Sequence, residues 1–322
     1  MLEILFNGKY GGIETALGVA ISFLVAFVGF AVFKNVLPKD QGREFAHNGA
    51  LSEGKPRGAG IIMIFAFVVS TVVVIRLDVE YIAYLLLIFG SMMTGYLDDA
   101  SATPWSELKK GILDLVISLG SAVSYWYFNS SRIVIATLGI DIKLPALVFI
   151  ALGTILVWAS INVTNCSDGV DGLCGSLSVI SLFSAFVLIH KLDCDERFEK
   201  IILVMLACIL AYLWFNSSPS KLLMGDAGSR ALGVMLAIAF MKTTAPIMFV
   251  PCAIVLIIDG GLGLVKLSAI RYLKLKKFMA NVRTPIHDHM RKNKKWSDTQ
   301  TVFRFCIIQI IVCSAVMGII FK

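Results

Sequence analysis

The feature that most constrains this sequence is a series of apolar blocks, each long enough to cross a lipid bilayer. A membrane-spanning helix needs about 20 predominantly apolar residues, and these blocks lack the polar stripe of a helix on a soluble protein. Of the 322 residues, 57% are hydrophobic and 16% are charged. We therefore predict an all-α polytopic membrane protein with about ten transmembrane helices. The predicted spans cover residues 16–33, 58–75, 81–97, 111–128, 144–161, 170–190, 201–215, 228–241, 245–265 and 301–321.

The chain is predicted to form one domain over residues 1–322, because no internal repeat or separate soluble segment interrupts the apolar series. No basic region precedes the first block, which we expect to be retained as a helix. The seven cysteines include no C-x-x-C pair and are interpreted as reduced packing residues. Residues 132–143 alternate around Leu138-Gly139, a pattern typical of a short β-hairpin.

The net charge of +7 lies mostly in alternate loops between the apolar blocks. Cytoplasmic loops of membrane proteins are enriched in Lys and Arg, which predicts the orientation of the chain. This explanation of the positive charge needs no nucleic acid, and none is expected as a partner. Residues 266–300 form a basic loop, whose first part is either an amphipathic helix on the anionic membrane surface or a solvated segment. The predicted cytoplasmic loops are 34–57, 98–110, 162–169, 216–227 and 266–300.

Acidic and amide side chains are concentrated in these same loops. Asp98 and Asp99 end the third predicted span, and Asp226 lies in M-G-D-A-G-S before the eighth. The loop between the fifth and sixth spans reads N-V-T-N-C-S-D-G-V-D-G-L. The basic loop contains two of the four histidines, two residues apart. The polar residues of these last two segments are Asn162, Asn165, Asp168, Asp171, His287 and His289.

Each of these features taken alone also has a structural interpretation. Asp98 and Asp99 could be a solvated helix end, and Asp168 and Asp226 could cap the helices that follow them. The two histidines could be ordinary loop residues. Asp171 is harder to explain in this way, because an ionised carboxylate at the start of an apolar span is costly unless it is paired or faces water. The same problem arises for two carboxylates that receive no role from the sequence, Asp114 and Asp259.

Taken together, the acidic residues favour a shared site. Five carboxylates at the predicted cytoplasmic ends of separate spans can converge, and oxygen ligands of this kind suit Mg²⁺ bound together with substrate phosphates. Glycines beside the carboxylates would allow a ligand to approach the backbone closely. Nearby basic residues would hold phosphates. The pattern is typical of phosphoryl transfer, which depends on positioning, a metal ion and charge neutralisation.

With these motifs, the chain resembles the polyprenyl-phosphate N-acetylhexosamine-1-phosphate transferases. The matches are N-V-T-N-C-S-D-G-V-D-G-L and M-G-D-A-G-S-R-A-L-G, and the likeness runs over nearly the whole chain. Pro285-Ile286-His287 points to the branch that uses UDP-MurNAc-pentapeptide. The resemblance implies a ten-helix enzyme of the bacterial inner membrane, often a homodimer, with a cytoplasmic cleft. It also implies Mg²⁺, the membrane lipid undecaprenyl phosphate as acceptor, and lipid I and UMP as products.

Motif by motif, the resemblance assigns roles to residues of this chain. Asp98 and Asp99 fall on the acidic pair, Asp226 on the metal-ligand aspartate and His287 on the histidine motif, and these four are the catalytic candidates. Asp98 is the candidate base or phosphate-orienting residue. Lys110 aligns with a phosphate-facing lysine after a short deletion. The substrate-binding candidates are Lys110, Asn162, Asn165, Asp168, Asp171, Asn216 and His289.

The chain departs from the family pattern in two loops. The early loop reads G-K-P-R-G-A-G where the family has G-T-P-T-M-G-G, and a lysine expected just before it aligns with Ser52. Asp288 replaces the second of three consecutive histidines. We expect Asp288 to pair with a neighbouring base, leaving His287 and His289 to face the substrate. These departures leave UDP-GlcNAc open as an alternative donor. A secondary transporter is a further alternative, which would use Asp114 and Asp259.

Overall fold

The computed structural model describes residues 11–40, 52–101, 103, 105–135, 137–275 and 277–321. The predicted loops 34–57, 98–110 and 266–300 extend partly outside these residues. Within them the longer helices are α1 (Gly11–Phe33), α2 (Gly60–Val74), α3 (Val79–Asp99), α4 (Glu107–Phe128), α5 (Ala146–Cys166), α6 (Leu173–Leu192), α7 (Glu196–Asn216) and α8 (Gly225–Lys242). They are followed by α9 (Phe249–Cys252), α10 (Ile254–Leu256), α11 (Leu262–Arg271), α12 (Ile286–Asn293) and α13 (Asp298–Ile320).

Seven of the described helices are long and apolar enough to cross a membrane, namely α1, α3, α4, α5, α6, α7 and α13. The segments Pro246–Cys252 and Ile254–Arg271 meet at a 70° bend and add an eighth span if they are taken as one. The prediction of a helical polytopic membrane protein is confirmed. The predicted number of ten is not reached on this measure, because α2 has only 15 residues and α8 carries Asp226, Arg230 and Lys242.

The predicted hairpin is confirmed. Strand β1 (Arg132–Ile135) pairs antiparallel with β2 (Ile140–Lys143), and Gly139 adopts a φ of +65° in the turn. The hairpin is joined to the helical bundle by a hydrogen bond that the Val134 amide donates to the carbonyl of Thr244, 2.8 Å away. It lies at the end of the bundle where α4 and α8 finish.

Helix α8 lies at the centre of the bundle, where every residue except Asp226 is buried. It packs against α2, α3 and α5. A Cβ atom added at Gly60 would come closer than 3.0 Å to the backbone of Gly228, and one at Gly95 would come equally close to the backbone of Asp226. These glycines let α2 and α3 approach α8 backbone to backbone. The contact brings the last turn of α3 to the first turn of α8.

The opposite end of α8 holds a second group of charges. The Lys242 Nζ atom lies 2.8 Å from Glu80 Oε1 and 2.6 Å from Asp195 Oδ2, and it donates to Asn129 Oδ1 at 3.0 Å. Lys242 is buried, so these partners satisfy an ammonium group that would otherwise be costly inside the protein. The group is separated from Asp226 by 16 helical residues, or about 24 Å at a rise of 1.5 Å per residue.

The bend in the ninth predicted span is held by the last helix. Gln309 of α13 accepts a hydrogen bond from the Val255 amide at 2.9 Å and donates to the Pro251 carbonyl at 3.2 Å. These are backbone groups next to the break, and Gln309 itself is fully buried. A π-helical turn, Ile257–Gly261, follows the break and leads into α11.

The fold predicts which loops share a side of the membrane. Lys109 lies in the first turn of α4, and Lys143 ends the hairpin that follows the same helix, so the two residues lie at opposite ends of the bundle. In a cysteine-free background and intact cells, Lys109→Cys is expected to resist an impermeant thiol reagent, whereas Lys143→Cys is expected to react. Permeabilised cells provide the control for Lys109→Cys. The reverse labelling pattern would invert the orientation predicted from the charged loops.

Candidate active site

Asp99 and Asp226 lie together around one arginine side chain. The Nη2 atom of Arg57 is 2.9 Å from Asp99 Oδ1 and 3.8 Å from Asp226 Oδ1. Its Nη1 atom donates to Asp40 Oδ1 at 3.1 Å. Burial lowers the pKa of Arg57, but the three carboxylates outweigh it and raise the pKa above its ordinary value. The guanidinium group is therefore charged at every physiological pH.

The first turn of α8 contributes further to the position of Asp99. The Ala227 amide donates to Asp99 Oδ2 at 3.4 Å. Gly225 has a φ of +70°, and a Cβ atom there would collide with the Asp99 carboxylate. The partial positive charge at a helix N-terminus also favours carboxylates at this position. The predicted role of the glycine was to admit a ligand, whereas here it admits a side chain of the protein itself.

Asp98 faces a different cation from Asp99. It forms an ion pair with Lys110 of α4 and accepts a hydrogen bond from the Trp105 amide at 2.8 Å. Lys110 Nζ also lies 3.8 Å from Asp226 Oδ2. Lys110 therefore links the two acidic groups, and about a third of its side chain is exposed.

The loop before α2 is held in an extended conformation beside α8. Pro56 pairs with Lys39, and its carbonyl accepts a hydrogen bond from the Leu223 amide at 2.8 Å. Alternate residues of an extended segment point to the same side. Lys55 and Arg57 consequently present two cations to the same region of the site.

Lys55 connects this centre to the loop between α5 and α6. Its Nζ atom donates to Ser220 Oγ at 3.0 Å and lies 3.9 Å from Asp171 Oδ2. Asp171 also accepts from the Ser220 amide at 2.9 Å. Asn216 is buried and braces the same loops, since it accepts from the Gly172 amide and donates to the Leu222 carbonyl. These contacts give Asn216 a structural role in positioning Asp171.

The remaining candidates of that loop are placed less centrally. Asn165 donates to Ser229 Oγ of α8 at 3.0 Å, three residues from Asp226. Asn162 is turned along its own helix, where it donates to the Trp158 carbonyl at 2.8 Å. The backbone of Asp168 donates to the Asn165 carbonyl at 3.2 Å. Arg57 and Lys110 therefore connect Asp98, Asp99 and Asp226, and Lys55, two residues before Arg57, pairs with Asp171.

His287 is buried and held by Asp259. One oxygen of Asp259 accepts from the His287 amide at 2.7 Å, and the other lies 2.8 Å from Nδ1. The His287 Nε2 atom lies against Gly169, and a Cβ atom added at Gly169 would collide with it. Of the two ring nitrogens, Nε2 is therefore the one directed toward the α5–α6 loop.

The neighbours of His287 follow the expected pairing in part. Asp288 lies 3.6 Å from the Arg291 guanidinium, so the predicted ion pair with a base is confirmed. Arg291 also lies 2.7 Å from Asp298 and donates to the Gly169 carbonyl. His289 accepts a hydrogen bond from the Arg283 amide at its Nδ1 atom, 3.3 Å away.

The structure gives partners to both carboxylates that received no role from the sequence. Asp259 orients His287, and Asp114 forms a buried ion pair with Arg230, whose Nε atom lies 3.2 Å away. The signal for both was their position within apolar spans, where a charge requires a partner. The sequence analysis assigned no role to Arg57. Its position in the G-K-P-R-G-A-G loop, which departs from the family pattern, was the signal that could have identified it.

Similarity to known proteins identifies the family of the chain. Residues 81–244 match the family model described as glycosyl transferase family 4. The chain belongs to glycosyl transferase family 4. Among its relatives, the phospho-N-acetylmuramoyl-pentapeptide-transferase of Treponema pallidum subsp. pallidum is 34% identical over 304 residues, covering 89% of this chain and 84% of the relative. The enzyme of the same name from Wolbachia pipientis wMel is 24% identical, covering 91% and 94%.

The family 4 match includes the acidic centre, which consists of Asp98, Asp99 and Asp226, but not every residue of the candidate site. Asp98, Asp99 and Asp226 lie inside residues 81–244, whereas Arg57 and His287 lie outside them. The similarity to the Treponema relative extends over most of the chain. The candidate site of this family 4 protein is therefore assembled from the matched region and from two segments that flank it in sequence, the loop before α2 and helix α12.

Two carboxylates of the acidic centre, those of Asp99 and Asp226, have the chemistry of ligands for a divalent metal ion. Among the described residues, no group of three or more His, Cys, Asp and Glu side chains is arranged to hold a metal. Asp99 and Asp226 offer instead two carboxylates, which is the protein contribution typical of Mg²⁺ bound to substrate phosphates. Around Arg57, three carboxylates and one guanidinium leave two formal negative charges. One divalent cation would balance them.

The buried Asp114–Arg230 pair gives a prediction for stability. Asp114→Ala leaves a buried guanidinium without its carboxylate, and breaking such a pair typically costs about 3–5 kcal/mol. We expect a clear fall in the thermal unfolding midpoint of the detergent-purified protein. Asp141→Ala, which removes the partner of the exposed Arg132, is the matched control and should leave the midpoint nearly unchanged, because water screens exposed ion pairs. Equal midpoints for the two variants would contradict the assigned role of Asp114.

Proposed function

We propose that this protein transfers phospho-MurNAc-pentapeptide from UDP-MurNAc-pentapeptide to undecaprenyl phosphate, giving lipid I and UMP in peptidoglycan synthesis. The observation that carries the proposal is the pair Asp99 and Asp226 between two cations, Arg57 and Lys110. The pair lies in a chain that is 34% identical to a phospho-N-acetylmuramoyl-pentapeptide-transferase. Carboxylates and cations in close proximity are what phosphoryl transfer requires.

The reaction is an attack by an oxygen of the lipid phosphate on the β-phosphorus of the donor. A new P–O bond forms to the lipid, and the bond to the oxygen bridging the two donor phosphates breaks, so that UMP leaves with the electron pair. Asp98 is suited to accept a proton or to orient the attacking phosphate. Lys110 and the Trp105 amide hold the Asp98 carboxylate in place. A two-step route in which an aspartate first takes the phosphoryl group is compatible with the same residues.

Mg²⁺ is proposed as the cofactor, held by Asp226 with Asp99 beside it. When bound, it supplies charge neutralisation at the diphosphate and lowers the charge on the departing UMP. Arg57 and Lys110 hold the carboxylates within reach of this position. Asp259 fixes the His287 ring through Nδ1, which leaves Nε2 to donate to or accept from a substrate group.

The membrane arrangement is proposed to be the ten-helix form, with a cytoplasmic cleft at the inner membrane. Helix α8 is proposed as the tenth span despite its charges, because Arg230 pairs with Asp114 and Lys242 with Glu80 and Asp195. The acidic centre lies at the end of the bundle whose loops carry most of the Lys and Arg residues. A homodimer is proposed on the family resemblance.

The transporter alternative loses its principal support. Transporters place charged sites near the middle of the membrane. The two candidates for such a site are Asp114 and Asp259. Each is occupied by a partner within the protein, Arg230 and His287 respectively. These pairs support a structural and orienting role for the two carboxylates.

The metal proposal predicts the effect of Asp226→Asn. The substitution keeps the shape of the side chain and removes the charge that a hard cation requires. We expect turnover to fall by about two orders of magnitude or more, on the scale of losing a principal electrostatic group, with an unchanged unfolding midpoint. Glu107→Gln, at an exposed carboxylate near the same end, is the control. Near-normal turnover of Asp226→Asn, or full activity of the native protein in excess EDTA, would contradict the metal model.

The donor proposal is tested by direct comparison. Purified protein is given undecaprenyl phosphate, Mg²⁺ and either radiolabelled UDP-MurNAc-pentapeptide or UDP-GlcNAc under identical conditions. We expect lipid-linked product only with UDP-MurNAc-pentapeptide. Product from UDP-GlcNAc alone would keep the reaction class and overturn the donor. No product from either would contradict the enzyme assignment.

A further inference from the structure

Arg57 is unusual among the charged residues of the site because it contacts three carboxylates from three segments. Its partners are Asp40 before α2, Asp99 at the end of α3 and Asp226 at the start of α8. About a quarter of the side chain remains exposed. A guanidinium group carries five N–H donors in a planar fork. It can therefore keep its protein contacts and still donate to a ligand.

The anchor of Arg57 lies on the side away from the acidic pair. Asp40 accepts from Arg57 Nη1 through one oxygen and from Ser52 Oγ through the other, at 3.1 and 2.7 Å. The Arg57 amide donates to the Pro38 carbonyl at 2.8 Å, and the Asp40 amide donates to the Lys55 carbonyl at 2.9 Å. Both the backbone and one end of the guanidinium are thus fixed. The other end, Nη2, is directed at Asp99 and Asp226.

We propose that Arg57 binds a phosphate of the donor diphosphate through Nη2, as a substrate-binding residue of this site. The inference rests on the proposed function, because it takes the donor to be a nucleoside diphosphate. A diphosphate held at Asp226 brings its own negative charge within reach of Nη2. An anchored guanidinium recognises phosphate through short, charge-assisted hydrogen bonds.

The direction of the Lys55-Pro56-Arg57 segment favours the donor over the lipid acceptor. Lys55 projects to the same side and reaches Ser220 and Asp171, whereas Arg57 reaches Asp99 and Asp226. The two cations thus span the distance between the α5–α6 loop and the acidic centre. A diphosphate has two adjacent anionic groups, and each of the two cations can contact one of them. The lipid acceptor has one phosphate, and under the proposed function Asp98, which pairs with Lys110, is the residue assigned to it.

The test compares Arg57→Ala and Arg57→Lys with the native protein and with Arg271→Ala, an exposed arginine at the same end of the bundle. UDP binding in Mg²⁺ is measured by calorimetry, Mn²⁺ binding by electron paramagnetic resonance, and KM separately for donor and acceptor. Loss of charge-assisted hydrogen bonds should weaken UDP binding and raise the donor KM by about 10- to 100-fold in Arg57→Ala. Arg57→Lys should fall between this variant and the native protein.

The remaining readouts separate this role from a structural one. Acceptor KM should change less than about threefold, a difference worth under 1 kcal/mol. Any change in Mn²⁺ affinity should be smaller than the change in UDP affinity. Millimolar guanidinium should restore part of the donor binding in Arg57→Ala. The proposal is overturned if UDP binding is unchanged, if the acceptor KM rises instead, or if weakened Mn²⁺ binding accounts for the whole loss.

Misfolding and failure of the reaction are also distinguishable outcomes. If Arg57→Ala has a lowered unfolding midpoint, the role of Arg57 in UDP binding is judged from Arg57→Lys. That variant keeps the charge but cannot bridge Asp40 and Asp99 with one planar group. Native UDP affinity in a folded Arg57→Lys variant that also has native donor KM would overturn the proposal. If the native protein yields no lipid product while Arg57 variants still lose UDP binding, the proposed reaction fails and the assignment of Arg57 stands.

Discussion

The backbone contact of α2 and α3 with α8 is the constraint on which the rest of the site depends. Without side chains at Gly60 and Gly95, three helix backbones meet around the first turn of α8. This contact sets Asp226 beside Asp99 and leaves the loop before α2 lying along residues 223–224. The acidic centre is consequently a product of helix packing, which holds its carboxylates more rigidly than a solvated loop would.

Charge pairing follows from the same central position. Because α8 is buried along almost its whole length, each of its ionised groups needs a partner from another helix. Arg230 forms an ion pair with Asp114 of α4, and Lys242 forms ion pairs with Glu80 of α3 and with Asp195, which precedes α7. Buried pairs of this kind contribute little net stability compared with apolar packing, but they penalise any arrangement that separates the partners. They therefore favour a single arrangement of α8 among α3, α4 and α7.

Much of the fold and part of the site could be predicted from the sequence. Apolar blocks identify most spans because the bilayer fixes their length, and the alternation around Leu138-Gly139 predicts the hairpin. The convergence of Asp98, Asp99 and Asp226 follows from their position at ends of spans on one side. The bend after Pro251 and the shortness of α2 could not be predicted in this way, because hydropathy averages over the residues that break a helix.

The side-chain partners were harder to predict because they depend on tertiary contacts. Asn216 resembles a substrate-binding residue in sequence, but the structure uses both ends of its amide to brace two backbone segments. Arg57 stands where the family pattern has an uncharged residue, and only the packing of its loop against α8 reveals its three carboxylate neighbours. The sequence identifies which residues are unusual, whereas the packing determines what each of them contacts.

The contact of Gln309 with the broken span has a consequence for the order in which the protein can mature. The Val255 amide and the Pro251 carbonyl find their partner in Gln309 of α13, which is synthesised more than 50 residues later. An unpaired backbone group costs several kcal/mol in the hydrocarbon layer. Until α13 has been synthesised, the Val255 amide and the Pro251 carbonyl must be hydrated, or the span must remain unbent. Helix α13 thus holds the bend in place, and the bent span reaches its final hydrogen bonding only after α13 has packed against it.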